Sequence, residues 1–158
     1  VKKFSLVFAL LVLVALVVPA VAQPVSYPFK DPRFASLVYP LYTVSTITAA
    51  SAQTYTAPQV LGGLILRNTS GANRTDTMPT AAQMRALMPN IFVGSAFEFT
   101  IRNTAGAAET ITVAAGTGGT TSGTMTIAQN NSKRFLVVFT SITGTGAYTI
   151  YSLGTVVH

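Results

Sequence analysis

The chain reads as an all-β protein: a single antiparallel β-sandwich or jelly-roll-like domain with one short helix, following an N-terminal signal or anchor segment. Three observations predict this. Short runs rich in β-branched and aromatic residues recur from residue 43 onward, separated by clusters of Gly, Asn, Ser and Thr. Several of those runs alternate apolar and polar residues with the period of a strand. Cysteine is absent from all 158 residues, so packing, hydrogen bonding or association with other chains must hold the fold together.

The first element is residues 1–22. Lys2 and Lys3 precede an apolar run from Phe4 to Val18, which closes at Pro19 and is followed by Ala20-Val21-Ala22. A basic start, a short apolar segment, a helix breaker and small residues at the cleavage-determining positions are the parts of a secretory signal peptide. Phe4 to Ala22 is also nearly long enough to cross a bilayer as a helix, so cleavage and retention as a membrane anchor both stay open. Either way the chain is addressed to a membrane, and the expected location is a virion or an extracytoplasmic site, secreted or on a cell surface.

Residues 23–42 follow with Pro24, Pro28, Pro32 and Pro40 among Tyr27, Phe29, Phe34, Tyr39 and Tyr42. Prolines at this density prevent a regular ladder, and the aromatics gain by burial. The segment reads as an extended arm that packs on its own domain or a neighbouring subunit, with a poorly ordered terminus as the plain alternative.

The β domain, residues 43–158, is long enough for one buried core. Strands are predicted near Tyr42 to Thr48, Gly63 to Arg67, Ala96 to Asn103, Thr110 to Ala115, Thr124 to Ala128, Arg134 to Thr140 and Ala147 to Leu153. One helix interrupts them. Thr80 and Gln83 have capping-box spacing, and Met84, Leu87 and Met88 form an apolar stripe before Pro89. Such a stripe reads as core.

Alternation predicts a register as well. Phe97, Phe99 and Ile101 share one face of a strand, and Ile111, Val113 and Ala115 share one face of the next, so pairing Ile101 with Ile111 and Phe99 with Val113 makes a hairpin with a loop from Thr104 to Ala108. Phe135 to Phe139 is apolar at every position, as expected for a central strand covered on both sides. Gly116 to Gly123 reads as a flexible or tightly turning connection.

Charge and functional groups argue against most chemistry. The formal charge of +6 falls to +4 if Lys2 and Lys3 leave with the leader, and the remaining basic residues are scattered. A nucleic-acid surface concentrates them on one face, so nucleic acid is not an expected partner. Lys133-Arg134, the one adjacent pair beyond the leader, reads as a solvated edge or a gatekeeper against aggregation.

No catalytic, cofactor-binding or metal-binding residues are assigned. The single histidine, His158, is terminal, so a Ser-His arrangement would depend on the end of the chain. In the predicted hairpin Glu98 and Glu109 fall on opposite faces and toward opposite ends, and should not form a carboxylate dyad. The acids are too isolated for a metal. Gly116-Thr117-Gly118-Gly119 lacks the Lys-Ser/Thr ending and the following helix of a phosphate loop, and reads as a turn. Asn68-Thr69-Ser70, Asn73-Arg74-Thr75 and Asn130-Asn131-Ser132 have the form of glycosylation sequons.

The stretch from Phe97 to Gly154 carries Phe99-Thr100-Ile101-Arg102-Asn103, Glu109-Thr110-Ile111-Thr112-Val113, Thr126-Ile127-Ala128-Gln129-Asn130-Asn131 and Tyr148-Thr149-Ile150-Tyr151-Ser152. It resembles the small β-sandwich modules of phage and other virus structural proteins, over about a third of the chain. That resemblance implies a capsid-associated or fibre-like assembly role and supplies no catalytic residues; the membrane-directed leader departs from most such proteins, which assemble in the cytoplasm. The expectation is a non-enzymatic structural or assembly protein without cofactor, a homo-oligomer or a partner of other structural subunits, contacting a membrane if the leader is kept. The alternative is a secreted module that binds a glycan or another ligand through its loops.

Overall fold

A computed structural model describes residues 42–158. The expected leader, residues 1–22, and all of the expected arm except Tyr42 lie outside the described residues.

The described chain is mostly strand, in two sheets. In chain order the elements are β1 (Thr43–Thr48), α1 (Ala57–Leu61), β2 (Gly63–Asn68), β3 (Arg74–Thr77), α2 (Ala81–Ala86), β4 (Ala96–Asn103), β5 (Ile111–Ala114), β6 (Gly119–Ser122), β7 (Thr126–Ile127), β8 (Asn131–Ser141) and β9 (Ala147–Val157). A six-stranded sheet runs in the order β1-β2-β4-β8-β9-β6, and a three-stranded sheet in the order β3-β5-β7.

The sheets are mixed, which corrects the expectation of antiparallel pairing throughout. β1 with β2, β2 with β4, β3 with β5 and β6 with β9 are parallel; β4 with β8, β8 with β9 and β5 with β7 are antiparallel. Parallel neighbours need a crossover between them. Here α1 lies between β1 and β2, and β3 with α2 lies between β2 and β4.

The predicted hairpin of β4 and β5 does not form. Phe99 stands opposite Phe135 and Ile101 opposite Lys133 in β8, while Ile111 stands opposite Arg74 and Ile127 in the other sheet. The reason lies in residues 104–110, which carry the chain from one sheet to the other. The Asn103 side chain holds this crossing, donating to the Glu109 carbonyl at 2.8 Å and the Ile127 carbonyl at 3.2 Å and accepting from the Ala105 N–H at 3.0 Å. Phe99, Ile101, Ile111 and Val113 all enter one buried cluster, so alternation assigned the buried faces correctly and the partner strands incorrectly.

β8 is central in hydrogen-bonding order, as its apolar run suggests, but one face only is sealed. Phe135, Val137 and Phe139 are fully buried, whereas Leu136 and Val138 are half-buried on the other face. Phe99 and Phe135 stack across the β4–β8 pair with ring centroids 5.2 Å apart, a geometry that adds to the area the rings bury.

Among the described residues there are two short helices where one was expected. In α2 the capping box forms: Thr80 Oγ1 accepts from the Gln83 N–H at 3.2 Å and Gln83 Oε1 accepts from the Thr80 N–H at 2.9 Å. The helix closes at Leu87, two residues before Pro89, and Leu87 turns outward, so of the predicted stripe Met84 is buried, Met88 is half-buried and Leu87 is exposed. α1 is only five residues long, too short to show a helical period; Pro58 sits in its first turn and Gln59 Oε1 accepts from the Thr56 N–H at 2.8 Å. β3 was not predicted, β6 occupies part of the expected Gly116 to Gly123 connection, and β9 extends past Leu153 to Val157.

Candidate functional site

The buried Arg67, Asp76, Glu109 and Lys133 are each hydrogen-bonded to other parts of the chain, while the Arg74 Nε is buried without a partner among the described residues. Arg67 on β2 and Asp76 on β3 are fully buried and meet with Nε 2.7 Å from Oδ2, joining the two sheets. Asp76 also accepts from the Tyr55 hydroxyl at 2.8 Å and the Gln53 N–H at 2.8 Å, and Arg67 donates to the Ala49 carbonyl at 2.9 Å and the Ser51 carbonyl at 2.8 Å. Burial first, then the adjacent Asp76 charge, holds the Tyr55 phenol far above its ordinary pKa. A charge pair this well surrounded positions strands. Nothing at it is free to bind or react.

Sequence reasoning missed this cluster because Arg67 and Asp76 lie nine residues apart on different sheets. One signal was available: Arg67 follows Ile65 on the inward face of an alternating strand.

Glu98 and Glu109 are in separate environments. Glu98 projects from the outer face of β4 toward Arg134, with 3.5 Å between Oε2 and Nε. Glu109 is buried in the crossing between sheets and accepts from the Thr69 hydroxyl. Their separation into unlike surroundings offers no shared substrate position for acid-base work.

Lys133 and Arg134 also divide. Arg134 is exposed, but Lys133 faces inward and its Nζ donates to the carbonyls of Thr124 and Thr126, both at 2.7 Å. This corrects the reading of the pair as solvated, because β8 is a central strand and its alternate residues point into the protein. Burial lowers the Lys133 pKa.

His158 is hydrogen-bonded to the Ser132 hydroxyl, with its backbone N–H on the Asn130 carbonyl. Among the described residues no carboxylate bonds its ring, so the third member of a nucleophilic triad is missing. Among the same residues no three His, Cys, Asp or Glu side chains gather as metal ligands, and no helix is long and apolar enough to cross a membrane.

The Gly116–Gly119 turn is filled by Tyr148. Its hydroxyl donates to the Pro79 carbonyl at 2.9 Å and accepts from the Gly116 N–H at 2.9 Å. A Cβ at Gly119 would lie 2.4 Å from the tyrosine ring, so glycine is required for close approach of the strand, not for a phosphate. Of the sequon asparagines, Asn68 Oδ1 accepts from the Ser70 N–H at 2.9 Å and Asn73 Oδ1 accepts from the Thr110 N–H at 2.8 Å.

The surface contrasts with this self-contained interior. The segment after α2 exposes Leu87, Phe92 and Val93, and the end of β9 exposes Leu153, Val156 and Val157. β1 exposes Val44 and carries no charge, and no described strand lies beyond it.

Comparison with protein-family models, with curated proteins and with solved structures finds no match for this chain.

Proposed function

We propose that the protein is a non-enzymatic structural or assembly component, on a virion or outside the cytoplasm, whose copies associate through apolar surface and the N-terminal arm. Its two sheets are read as the layers of a sandwich over one core. The observation that carries this reading is the division of the molecule: the buried Arg67, Asp76, Glu109 and Lys133 are hydrogen-bonded within the chain, while large apolar side chains stand exposed at Leu87, Phe92 and Val93 and along the end of β9. Broad, weakly polar surface suits repeated subunit contacts better than selective binding of a charged ligand. The resemblance of Phe97 to Gly154 to virus structural modules points the same way.

The test is the size of the purified full chain, by light scattering and electron microscopy, with mass spectrometry of its N-terminus to decide between a removed leader and a kept anchor. Ordered oligomers are the expected result. A stable monomer at every concentration that binds a glycan saturably would replace this reading with that of a secreted binding module.

A further inference from the structure

Sheet edges differ in how they are closed. Natural proteins close an edge with charge, proline, a bulge, a short strand or a covering segment, because its free N–H and C=O groups recruit other strands. β7 has two residues and β6 has four. β3 carries Arg74 and Asp76 and is bridged by Thr54 at Thr77. β1 has six residues in unbroken register with β2, and the stretch from Tyr42 to Gln53 contains neither charge nor proline.

The hydrogen bonds of β1 show which of its groups face β2 and which, among the described residues, have no strand opposite them. The Thr43 N–H donates to the Gly62 carbonyl at 2.7 Å and the Ala49 N–H to the Asn68 carbonyl at 3.2 Å. Successive peptide groups of an extended strand point to opposite sides, so odd-numbered residues bond β2. Val44, Thr46 and Thr48 therefore direct their N–H and C=O groups away from the sheet, and all three are exposed.

We propose that this edge pairs with the β1 edge of a second copy, antiparallel, about a two-fold axis at Thr46. An alternating row of donors and acceptors is matched fully only by another strand, and the neutrality of residues 42–53 lets two identical edges meet without like-charge repulsion. The arrangement is isologous: Thr46 faces its own copy, and Val44 faces Thr48. Each is a hydrogen-bonded pair, and two bonds in each of three pairs make about six across the axis. The six-stranded sheets of two molecules become one continuous sheet. This inference rests on the assembly reading and names the contact within it.

Because the chain has no cysteine, a thiol placed on β1 is unique. In the proposed dimer the Cα atoms of residue 46 are about 5.5 Å apart, within reach of a disulfide. Residue 44 is displaced from its own copy by four positions, roughly 13 Å, and is out of reach. Mild oxidation of the full-length Thr46→Cys chain should give a covalent dimer on a non-reducing gel, Val44→Cys alone should give several-fold less, and Val44→Cys mixed with Thr48→Cys should restore it. Thr46→Pro removes an outward N–H without touching the β1–β2 ladder and should reduce the oligomer. If Thr46→Cys and Val44→Cys cross-link equally, or neither does, the inference is overturned. In that case an oligomeric wild type leaves the assembly reading standing, whereas a monomeric wild type overturns both.

Discussion

Arg67 with Asp76 and Arg134 with Glu98 are ion pairs of the same chemistry in opposite surroundings. The first is fully buried at 2.7 Å, and the second is largely exposed at 3.5 Å. In the interior, water cannot replace a lost partner, so removing one charge leaves the other stranded. At the surface, solvent screens the attraction and rehydrates whichever group remains. The buried pair joins β2 to β3 across the two sheets, while the exposed one lies on neighbouring strands already held by their ladder. The position of a pair thus decides whether it organises the fold or decorates it.

The largest expected effect comes from breaking the buried member. Arg67→Ala should cost about 3–5 kcal/mol in chemical denaturation, because Asp76 stays buried without its countercharge; a loss below about 1 kcal/mol would erase the contrast. Tyr55→Phe should cost less, about 1–2 kcal/mol, since Asp76 keeps its arginine and the Gln53 N–H.

Alkaline pH sharpens the comparison further. The folded-state pKa of Tyr55 is raised, so its contribution is fully present below the ordinary phenol value of about 10 and is lost as pH rises beyond it, where the unfolded chain gives up the proton first. Tyr148, also raised by burial, acts in the same direction. Lys133 acts oppositely: its lowered pKa means that the charged form is disfavoured in the fold, and stability from this group is lost as pH falls below the ordinary lysine range. Denaturation midpoints of wild type and Tyr55→Phe, compared above pH of about 10, isolate the tyrosine, and the variant should show the shallower decline. The smallest effect belongs to Glu98→Gln, which should change stability by less than about 0.5 kcal/mol and lose even that at high salt.

Legibility followed the range of the interactions. The α2 capping box was readable because Thr80 and Gln83 are three residues apart and satisfy each other's backbone. The buried faces of β4 and β5 were readable because side chains alternate along any extended chain, whereas the uniformly apolar run of β8 hid which of its faces is sealed. The register was not. Ile101 and Ile111 share an interior without sharing a sheet, and that pattern is indistinguishable from a hairpin until the Asn103 crossing is seen. Of the proposed contact surface, the neutrality of β1 was visible, but its place at the edge of the described sheet was not.

By itself the sequence determined the β class, the cores of seven strands, one helix cap and the buried faces of β4 and β5, since each depends on chemistry repeated within a few residues. Tertiary structure alone decided the mixed strand order, the union of Arg67 with Asp76, the inward turn of Lys133 and the place of β1 at the edge of the described sheet. Those depend on which distant segments become neighbours, and identical alternating patterns admit many such pairings until chain crossings and buried polar bonds select one.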